Sequence, residues 1–308
     1  MQEFDIIIIG GGISGMTAGI YAARSNMSVC ILEQEICGGL VNWTYSVENF
    51  PSYLEIKGMD LMAKCREHAA SLGVSIYEVD AVESVDLFGD IKKVVTVEGE
   101  VFSAPAVIIA TGRTPLPLPV DTDWQNIHYC SICDGTAYKD KDVLVVGGGN
   151  SGFDESLYLA GLGVKSIMIV EYFPKCIAAE TTQQKAKQVG NISVRVSTQI
   201  LSIEHENSDK GLVTLKDLIE NKEYKVLVDG IFCFIGQKPN TDIFNGIVDM
   251  ENGYIKSNLD MSTNVPGVYS AGDVNVKKYR QITTGMSDGT IAALEAVAYV
   301  KKMRERKN

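Results

Sequence analysis

The sequence lacks an excess of positive charge. Its 28 lysines and arginines are outnumbered by 39 aspartates and glutamates, so the formal net charge is −11. Binding to nucleic acid or to an anionic membrane surface depends on an excess of cationic side chains, and we therefore expect neither partner. The uncharged stretch at residues 6–23 contains five glycines, which favours a strand, a turn and a helix over a membrane-spanning helix.

Clustered metal ligands are also scarce. Of the seven cysteines only Cys130 and Cys133 lie close together, and the three histidines, His68, His128 and His205, are scattered. A structural zinc site normally needs a second close pair of Cys or His, so we favour a redox role for the cysteine pair and expect no metal. Single cysteines within apolar runs are typical of cytoplasmic proteins, and we expect a soluble cytoplasmic protein.

Two glycine-rich turns are present, and each follows an apolar run typical of a buried strand. Residues 10–15 and residues 147–152 both fit G-x-G-x-x-G, in which the glycines allow a tight turn, approach of a pyrophosphate and close packing of the next helix. A second strand pattern then ends in an acid, Glu33 or Glu171, at the spacing of a ribose-binding carboxylate. The sequence predicts two dinucleotide-binding folds, with a tight turn that binds no ligand as the alternative.

Two irregular segments divide the chain. Residues 114–119 alternate proline with leucine, and residues 236–241 are rich in turn-forming residues. The roughly 70 residues that follow are few for an independent domain. We therefore predict one discontinuous domain, residues 1–113 plus 241–308, with residues 114–240 inserted into it.

The cysteine pair directly precedes the second nucleotide-type fold, and Asp134 follows Cys133. A thiol at a helix N-terminus has a lowered pKa, and the thiolate is the species that exchanges with disulfides. Asp134 suits a proton carrier for such a pair, an N-terminal helix cap, or both. We expect His128 to be a surface or packing residue rather than a second base.

At this point the chain resembles the low-molecular-weight thioredoxin reductase family over essentially its full length. The resemblance rests on these motifs: Gly10-x-Gly12-x-x-Gly15, Gly38-Gly39, Glu48-Asn49-x-Pro51, Ala110-Thr111-Gly112, Cys130-x-x-Cys133-Asp134-Gly135, Gly147-x-Gly149-x-x-Gly152, Gly236-x-x-Pro239-Asn240-Thr241, Ala271-Gly272-Asp273 and Arg280-Gln281. It implies an α/β protein with two Rossmann-like, three-layer ββα domains, the second inserted into the first. It further implies FAD on the discontinuous domain, a pyridine-nucleotide-like inserted domain, and a homodimer.

The resemblance also implies roles for single residues. Cys133 would face the flavin, Cys130 would attack the thioredoxin disulfide as the domains rotate, and Asp134 would act as acid and base. Asp273 would bind the ribityl chain, while Asn49 and Gln281 would lie by the isoalloxazine. The full set of implied FAD contacts is Gly10, Gly12, Ser14, Gly15, Glu33, Gly39, Leu40, Asn49, Ala110, Thr111, Gly112, Gly272, Asp273, Arg280, Gln281 and Ile282.

The chain departs from this pattern after the second strand of the inserted domain. Family members that use NADPH carry a His-Arg-Arg cluster there, whereas this chain has no arginine in residues 170–176 and has Glu171 at the start of the corresponding segment. The chain resembles the branch of the family that lacks this cluster and takes electrons from reduced ferredoxin, and this resemblance implies reduced ferredoxin as the donor; Glu171 at the ribose-binding spacing leaves NADH as the alternative. Ferredoxins are generally acidic, so a local basic face would have to offset the net charge; Lys277, Lys278 and the C-terminal basic run are the candidates.

Two further functions are compatible with the sequence. A flavin dithiol oxidase would pass electrons from a small thiol to oxygen and would not need the NADPH cluster. A flavoprotein redox sensor or docking module would bind a partner without catalysis. A requirement for oxygen identifies the first, and unchanged thioredoxin reduction after Cys133→Ser would remove any catalytic role for the pair.

Overall fold

The computed structural model describes residues 1–44, 47, 49–205 and 209–307. The chain divides into two compact units, Met1–Thr114 with Lys238–Asn308, and Pro115–Gln237. Helices in the described ranges are α1 (Ile13–Arg24), α2 (Gly58–Ser71), α3 (Ser131–Asp134), α4 (Asn150–Gly161), α5 (Glu180–Gln188) and α6 (Ile282–Lys307), with 3-10 helices at Gly39–Trp43, Gly135–Tyr138 and Asp242–Phe244. Glu48 of the Glu48-Asn49-x-Pro51 motif lies outside the described residues.

Five parallel strands form the central sheet of the first unit. Their order across the sheet is Val268–Ser270, Ala106–Ile109, Ile6–Ile9, Val29–Leu32 and Ser75–Tyr77. All four residues of Ile6–Ile9 are buried, because both faces of this sheet are covered. Burial on both faces explains why the strand is a continuous apolar run instead of an alternation of apolar and polar residues.

Helices cover one face of this sheet and a second sheet covers the other. Ile6 and Ile8 pack with residues of α1, α2 and α6, and α6 approaches α1 closely, since a Cβ at Gly289 would overlap the carbonyl oxygen of Ser14. Ile7 and Ile9 pack instead against Phe102. The second sheet has the order Gln2–Glu3, Val101–Ala104, Lys92–Thr96 and Val82–Asp86. The remaining strands pair as Arg113–Pro115 with Gln237–Pro239 and as Met250–Glu251 with Tyr254–Ile255.

The second unit repeats this arrangement. Its parallel sheet has the order Ile127–His128, Gly230–Cys233, Asp142–Val146, Ser166–Val170 and Ile192–Arg195, and its antiparallel sheet has the order Thr198–Glu204, Gly211–Asp217 and Lys222–Val228. Val145 packs with Phe153 of α4, whereas Leu144 packs with Val213 of the antiparallel sheet. The predicted α/β class with two Rossmann-like, three-layer ββα units is confirmed. None of the helices described here combines the length and the apolar composition needed to cross a membrane.

Candidate active site

The first glycine turn is shaped by close backbone approaches. Gly10 has φ +107°, and a Cβ there would overlap the carbonyl oxygen of Ala110. A Cβ at Gly15 would overlap the carbonyl oxygen of Gly10, so α1 lies directly against the turn. Beside Gly12, by contrast, nothing lies within 4 Å of an added Cβ. This open space at the N-terminus of α1 suits a phosphate group.

Glu33 is tied to that turn by both carboxylate oxygens. Oε2 accepts a hydrogen bond from the N–H of Gly11 at 2.7 Å, and Oε1 accepts one from the N–H of Glu35 at 3.0 Å. The segment that begins the 3-10 helix also lies against the turn, because the Gly38 N–H donates to the Gly11 carbonyl at 2.9 Å. Gly39 and Leu40 follow directly. Glu33 still has lone pairs available for ribose hydroxyls.

Side chains far apart in sequence converge near the start of α6. The Asn49 Nδ2 donates to Gln281 Oε1 at 3.1 Å, although 232 residues separate them. The Thr111 hydroxyl donates to the Asn240 carbonyl at 2.6 Å, and Asn240 Nδ2 donates back to the Thr111 carbonyl at 2.9 Å. Thr111 is flanked by Ala110 and Gly112, and Gln281 is flanked by Arg280 and Ile282. The structure thus brings Asn49 and Gln281 together and anchors the Ala110–Gly112 turn through Asn240.

Asp273 lies in a partly desolvated turn with cations around it. Burial raises the pKa of its carboxyl group, and the positive charges of Lys277, Arg113 and Arg280 oppose this shift. The preceding N–H, that of Gly272, donates to Asp288 Oδ2 at 3.0 Å. Asp288 was not among the predicted site residues, because nothing in the sequence distinguishes it from a solvent-exposed carboxylate on a helix.

Asp288 also forms an ion pair with Lys277, whose Nζ lies 2.6 Å from Asp288 Oδ2. The two side chains are only 15% and 14% exposed. Lys277 therefore does not offer a free cation to a docking protein, and its candidacy for a basic docking face is wrong. Lys278 is exposed, and its Nζ lies 5.1 Å from the centroid of the Tyr279 ring.

The second glycine turn reproduces the first. Gly147 has φ +117°, the space beside Gly149 is open, and a Cβ at Gly152 would overlap the Gly147 carbonyl oxygen. Glu171 Oε2 accepts from the Gly148 N–H at 2.6 Å and Oε1 accepts from the Phe173 N–H at 2.9 Å. The inserted unit therefore has the same carboxylate geometry as the first unit.

Cys130 and Cys133 form a disulfide with a Cα–Cα distance of 5.4 Å. Cys130 is the N-cap residue of α3, and its Sγ accepts a hydrogen bond from the Cys133 N–H at 3.2 Å. Cys130 is 6% exposed, whereas Cys133 is an exposed residue. An N–H donor at Cys130 favours a negatively charged sulfur there once the disulfide is reduced.

His128 packs against the rings of Tyr138 and Phe232, as expected of a packing residue, and it also contacts Asp134. His128 Nδ1 lies 3.0 Å from Asp134 Oδ2, and His128 Nε2 lies 2.6 Å from the Tyr138 hydroxyl. The side chains of His128 and Asp134 are 17% and 42% exposed. Sequence reasoning missed this contact because His128 ends a strand and Asp134 ends α3, so the turn between them decides whether they meet. A histidine two residues before Cys130 was the available signal.

A second carboxyl group, that of Glu155 on α4, lies beside the dithiol helix. Burial raises the pKa of Glu155 to about 7; the Ser131 hydroxyl favours the ionised form and the Asp154 charge disfavours it. Ser131 is fully buried, and neither its Oγ nor Glu155 Oε2 has a formed hydrogen bond among the described residues. Glu155 was not among the predicted site residues, because helical position alone does not show that it faces α3.

Comparison with known proteins identifies the family of this chain. The family model for pyridine nucleotide-disulphide oxidoreductases matches residues 4–289. The chain belongs to this family. It is 36% identical to a thioredoxin reductase of Bacillus subtilis over 307 residues, covering 98% of this chain and 96% of the relative. It is 38% identical over 304 residues to a 34.2 kDa protein in the rubredoxin operon of Clostridium pasteurianum, covering 97% and 98%.

A solved structure agrees with this membership. The thioredoxin reductase of Lactococcus lactis is 35% identical, covers 97% of this chain and 99% of its own, and superimposes with a TM-score of 0.91. The chain is therefore a flavin-dependent oxidoreductase, and its cofactor is FAD.

The residues of the first unit fit this cofactor. The open side of Gly12 leaves room for a pyrophosphate at the N-terminus of α1, and Glu33 is held where a ribose-binding acid belongs. Arg280 Nε and Asn275 Oδ1 are buried without a hydrogen-bond partner among the described residues. Unsatisfied buried polar atoms are costly, and a bound FAD offers acceptors and donors for them.

Proposed function

We propose that this chain is a thioredoxin-disulfide reductase that uses FAD and the Cys130–Cys133 pair and does not use NADPH. The observation that carries the proposal is the disulfide at the start of α3, followed by the carboxylate of Asp134, in a chain that belongs to a flavin-dependent family. The relatives described as thioredoxin reductases support thioredoxin as the substrate.

In this proposal FAD is held by the unit Met1–Thr114 with Lys238–Asn308, and the unit Pro115–Gln237 is the pyridine-nucleotide-like domain that carries the cysteines. The FAD contacts are the sixteen residues that the resemblance implies, with Asp273 at the ribityl chain and Asn49 and Gln281 at the ring. When bound, FAD accepts electrons singly or as a pair and supplies them as a pair. The working assembly is a homodimer in the cytoplasm.

Cys133 is the proposed sulfur that faces the flavin, and Cys130 is the proposed nucleophile toward thioredoxin. Two electrons and two protons convert the disulfide to a dithiol. The Cys130 thiol gives its proton to Asp134, and the resulting thiolate bonds to one thioredoxin sulfur while the thioredoxin disulfide breaks; the departing thiolate takes that proton from Asp134. The Cys133 thiol then gives its proton to Asp134 and displaces thioredoxin, which re-forms the Cys130–Cys133 bond, and the second departing thiolate takes this proton from Asp134.

Burial makes this assignment testable. Cys130 is 6% exposed in the oxidised pair, so its attack on a protein disulfide requires the sulfur to become accessible after reduction. Cys133→Ser should trap a mixed disulfide between Cys130 and thioredoxin, whereas Cys130→Ser should not trap one. The opposite result would exchange the two roles and leave the dithiol chemistry intact.

The exclusion of NADPH follows from Glu171. Its carboxylate is fixed by the Gly148 and Phe173 N–H groups, at the position where a 2′-phosphate would need arginines. Two like charges about 4 Å apart repel by about 4 kcal/mol at an effective dielectric constant of about 20. The neighbouring Tyr172 and Phe173 are exposed and offer no cation.

Reduced ferredoxin is the proposed donor. Transfer of two electrons from a ferredoxin near about −400 mV to thioredoxin near about −270 mV is favourable by about 6 kcal/mol. Lys277 is engaged by Asp288, so docking of an acidic carrier rests on Lys278 and on the basic end of α6.

NADH is the second candidate, and one observation favours it. The contacts of Glu171 with its glycine turn repeat those of Glu33 within about 0.1 Å, and such an acid binds ribose hydroxyls in NAD sites. The inserted unit has therefore kept the geometry of a ribose-binding acid.

The experiment is an anaerobic titration of the purified flavoprotein with NADPH, NADH and reduced ferredoxin, each supplied separately. We expect ferredoxin to bleach the oxidised flavin absorbance and NADPH to leave it unchanged. Bleaching by micromolar NADPH would falsify the donor assignment, and bleaching by NADH alone would select the second candidate. Oxidation of a small thiol substrate that stops when oxygen is removed would instead indicate a dithiol oxidase.

A further inference from the structure

We propose that His128 is a positioning residue for Asp134: its Nδ1–H donates to the carboxylate and orients it, and Tyr138 fixes the imidazole tautomer. The proposal rests on the proposed function only in that Asp134 is taken as the acid and base of the dithiol. The observation behind it is a continuous series of polar contacts within the second unit, from the dithiol helix to Tyr138. Asp134 Oδ2 lies 3.0 Å from His128 Nδ1, and His128 Nε2 lies 2.6 Å from the Tyr138 hydroxyl.

Tyr138 decides the tautomer. It is buried, and burial together with the charges of Asp134 and Asp229 raises the pKa of its phenol to about 12. The hydroxyl therefore stays protonated near neutral pH and donates to the Nε2 lone pair. A neutral imidazole that accepts at Nε2 carries its hydrogen on Nδ1, which directs that N–H at Asp134.

The ring is held rigidly in this orientation. His128 belongs to the strand Ile127–His128, which pairs with Gly230–Cys233. The ring centroid lies 5.2 Å from that of Tyr138 and 5.1 Å from that of Phe232. A fixed imidazole directs a single N–H at one carboxylate oxygen, which orients that carboxylate and stabilises its charge.

Charged groups lie at both ends of the series Asp134–His128–Tyr138. Asp134 is itself one end, and the negative charge of Asp229 contributes to the raised pKa of Tyr138 at the other. Lys141 Nζ lies 5.2 Å from the centroid of the Tyr138 ring, and Lys210 pairs with Asp229 at 3.2 Å. Of these groups, Asp134 is the one that the imidazole contacts directly.

The imidazole takes no part in the proton balance of the exchange. Asp134 takes the proton of the Cys130 thiol and gives it to the first departing thiolate of thioredoxin, then takes the proton of the Cys133 thiol and gives it to the second. While Asp134 is ionised, His128 Nδ1 donates a hydrogen bond to its carboxylate and stabilises that charge.

The first test reads the tautomer directly and needs no substrate. In flavoprotein labelled with ¹⁵N at histidine, we expect His128 to show the Nδ1–H tautomer near pH 7.5 and Tyr138→Phe to abolish that preference. His205 is the internal control, because its Nε2 faces Asp123 Oδ1 at 2.6 Å and should carry the hydrogen. An Nε2–H tautomer at His128 overturns the proposal whatever thioredoxin does.

The second test uses two matched variants. His128→Asn retains an N–H donor near the Nδ1 position, while His128→Gln places its amide near Nε2 and leaves Asp134 without the donor. In single-turnover reduction of thioredoxin at pH 7.5, Gln should lower the rate about tenfold and Asn should lower it less.

A purely structural role gives a different pattern. Both variants would then lose stability while keeping the wild-type rate, and that result overturns the proposal. If wild type and both variants all fail to reduce thioredoxin, the proposed substrate is wrong, and the tautomer measurement still decides the role of His128.

Discussion

The buried carboxyl group of Glu155 makes the stability of the second unit depend on pH. Its folded-state pKa of about 7 lies above the ordinary value of 4.5, so the folded protein binds this proton more tightly than the unfolded chain does. Stability is therefore unaffected below the unfolded pKa, falls as pH rises from about 4.5 to 7, and stays reduced above that range. Two linked titrations give a cost of about 1 kcal/mol at pH 5.5 and about 3 kcal/mol at pH 8.5.

Glu155→Gln removes the charge and keeps the shape. We expect the variant to be more stable than wild type by about 3 kcal/mol at pH 8.5 and by about 1 kcal/mol at pH 5.5. Denaturant unfolding followed by the fluorescence of Trp124, in a Trp43→Phe background that leaves it as the only indole, reports on the unit that contains Glu155. Working above the sequence pI of about 4.9 avoids precipitation.

Glu223 provides the matched control. It is an exposed residue of the strand Lys222–Val228, so Glu223→Gln should change stability little at either pH. If Glu155→Gln gained no more stability at pH 8.5 than at pH 5.5, the carboxyl group would not be desolvated as described, and the reasoning from burial would be refuted.

Three further predictions concern the flavin site and the cysteines. Gly12→Ala should lower the FAD content of the purified protein, because the added methyl group enters the open space beside the turn. The matched variant Gly149→Ala should leave the FAD content unchanged. Equal flavin absorbance per protein in the two variants would contradict this. Asp288→Asn should weaken FAD binding about tenfold by loosening the Gly272–Asp273 turn, measured by release of fluorescent FAD on dilution. After reduction of the disulfide, iodoacetamide should label Cys130 before Cys133, because the Cys133 N–H favours a thiolate at Cys130 and the proposed attack on thioredoxin requires that sulfur to become accessible; mass spectrometry detects the order, and labelling of Cys133 first would contradict Cys130 as the nucleophile.

The motif spacing was sufficient to locate the two nucleotide turns, since each follows a buried parallel strand that is recognisable as a continuous apolar run. Gly15 and Gly152 are required by approaches to their own turns, whereas Gly10 and Gly147 approach Ala110 and Phe234, which are distant in sequence. Helix α5 was missed because its sequence has no apolar periodicity: only Ala186 of its nine residues is buried. Polar helices of this kind are stabilised by their context and leave no hydrophobic pattern to detect.

Long-range contacts were beyond sequence reasoning unless the family resemblance supplied them. Asn49 and Gln281 were paired through the resemblance alone, since no spacing rule relates residues 232 positions apart. His128 was assigned to packing because its link to Asp134 depends on the direction of one short turn. Glu155 was overlooked for a related reason, since the packing of α4 against α3 sets its desolvation.

The central claim is that electrons pass from FAD through the Cys130–Cys133 pair to thioredoxin. The most direct measurement is to reduce the flavoprotein chemically without oxygen, add oxidised thioredoxin and follow the flavin absorbance. We predict that the oxidised spectrum returns in wild type and that the flavin stays reduced in Cys130→Ser and in Cys133→Ser. Reoxidation of either variant at the wild-type rate, or a purified protein that is colourless and does not take up FAD, would contradict the account.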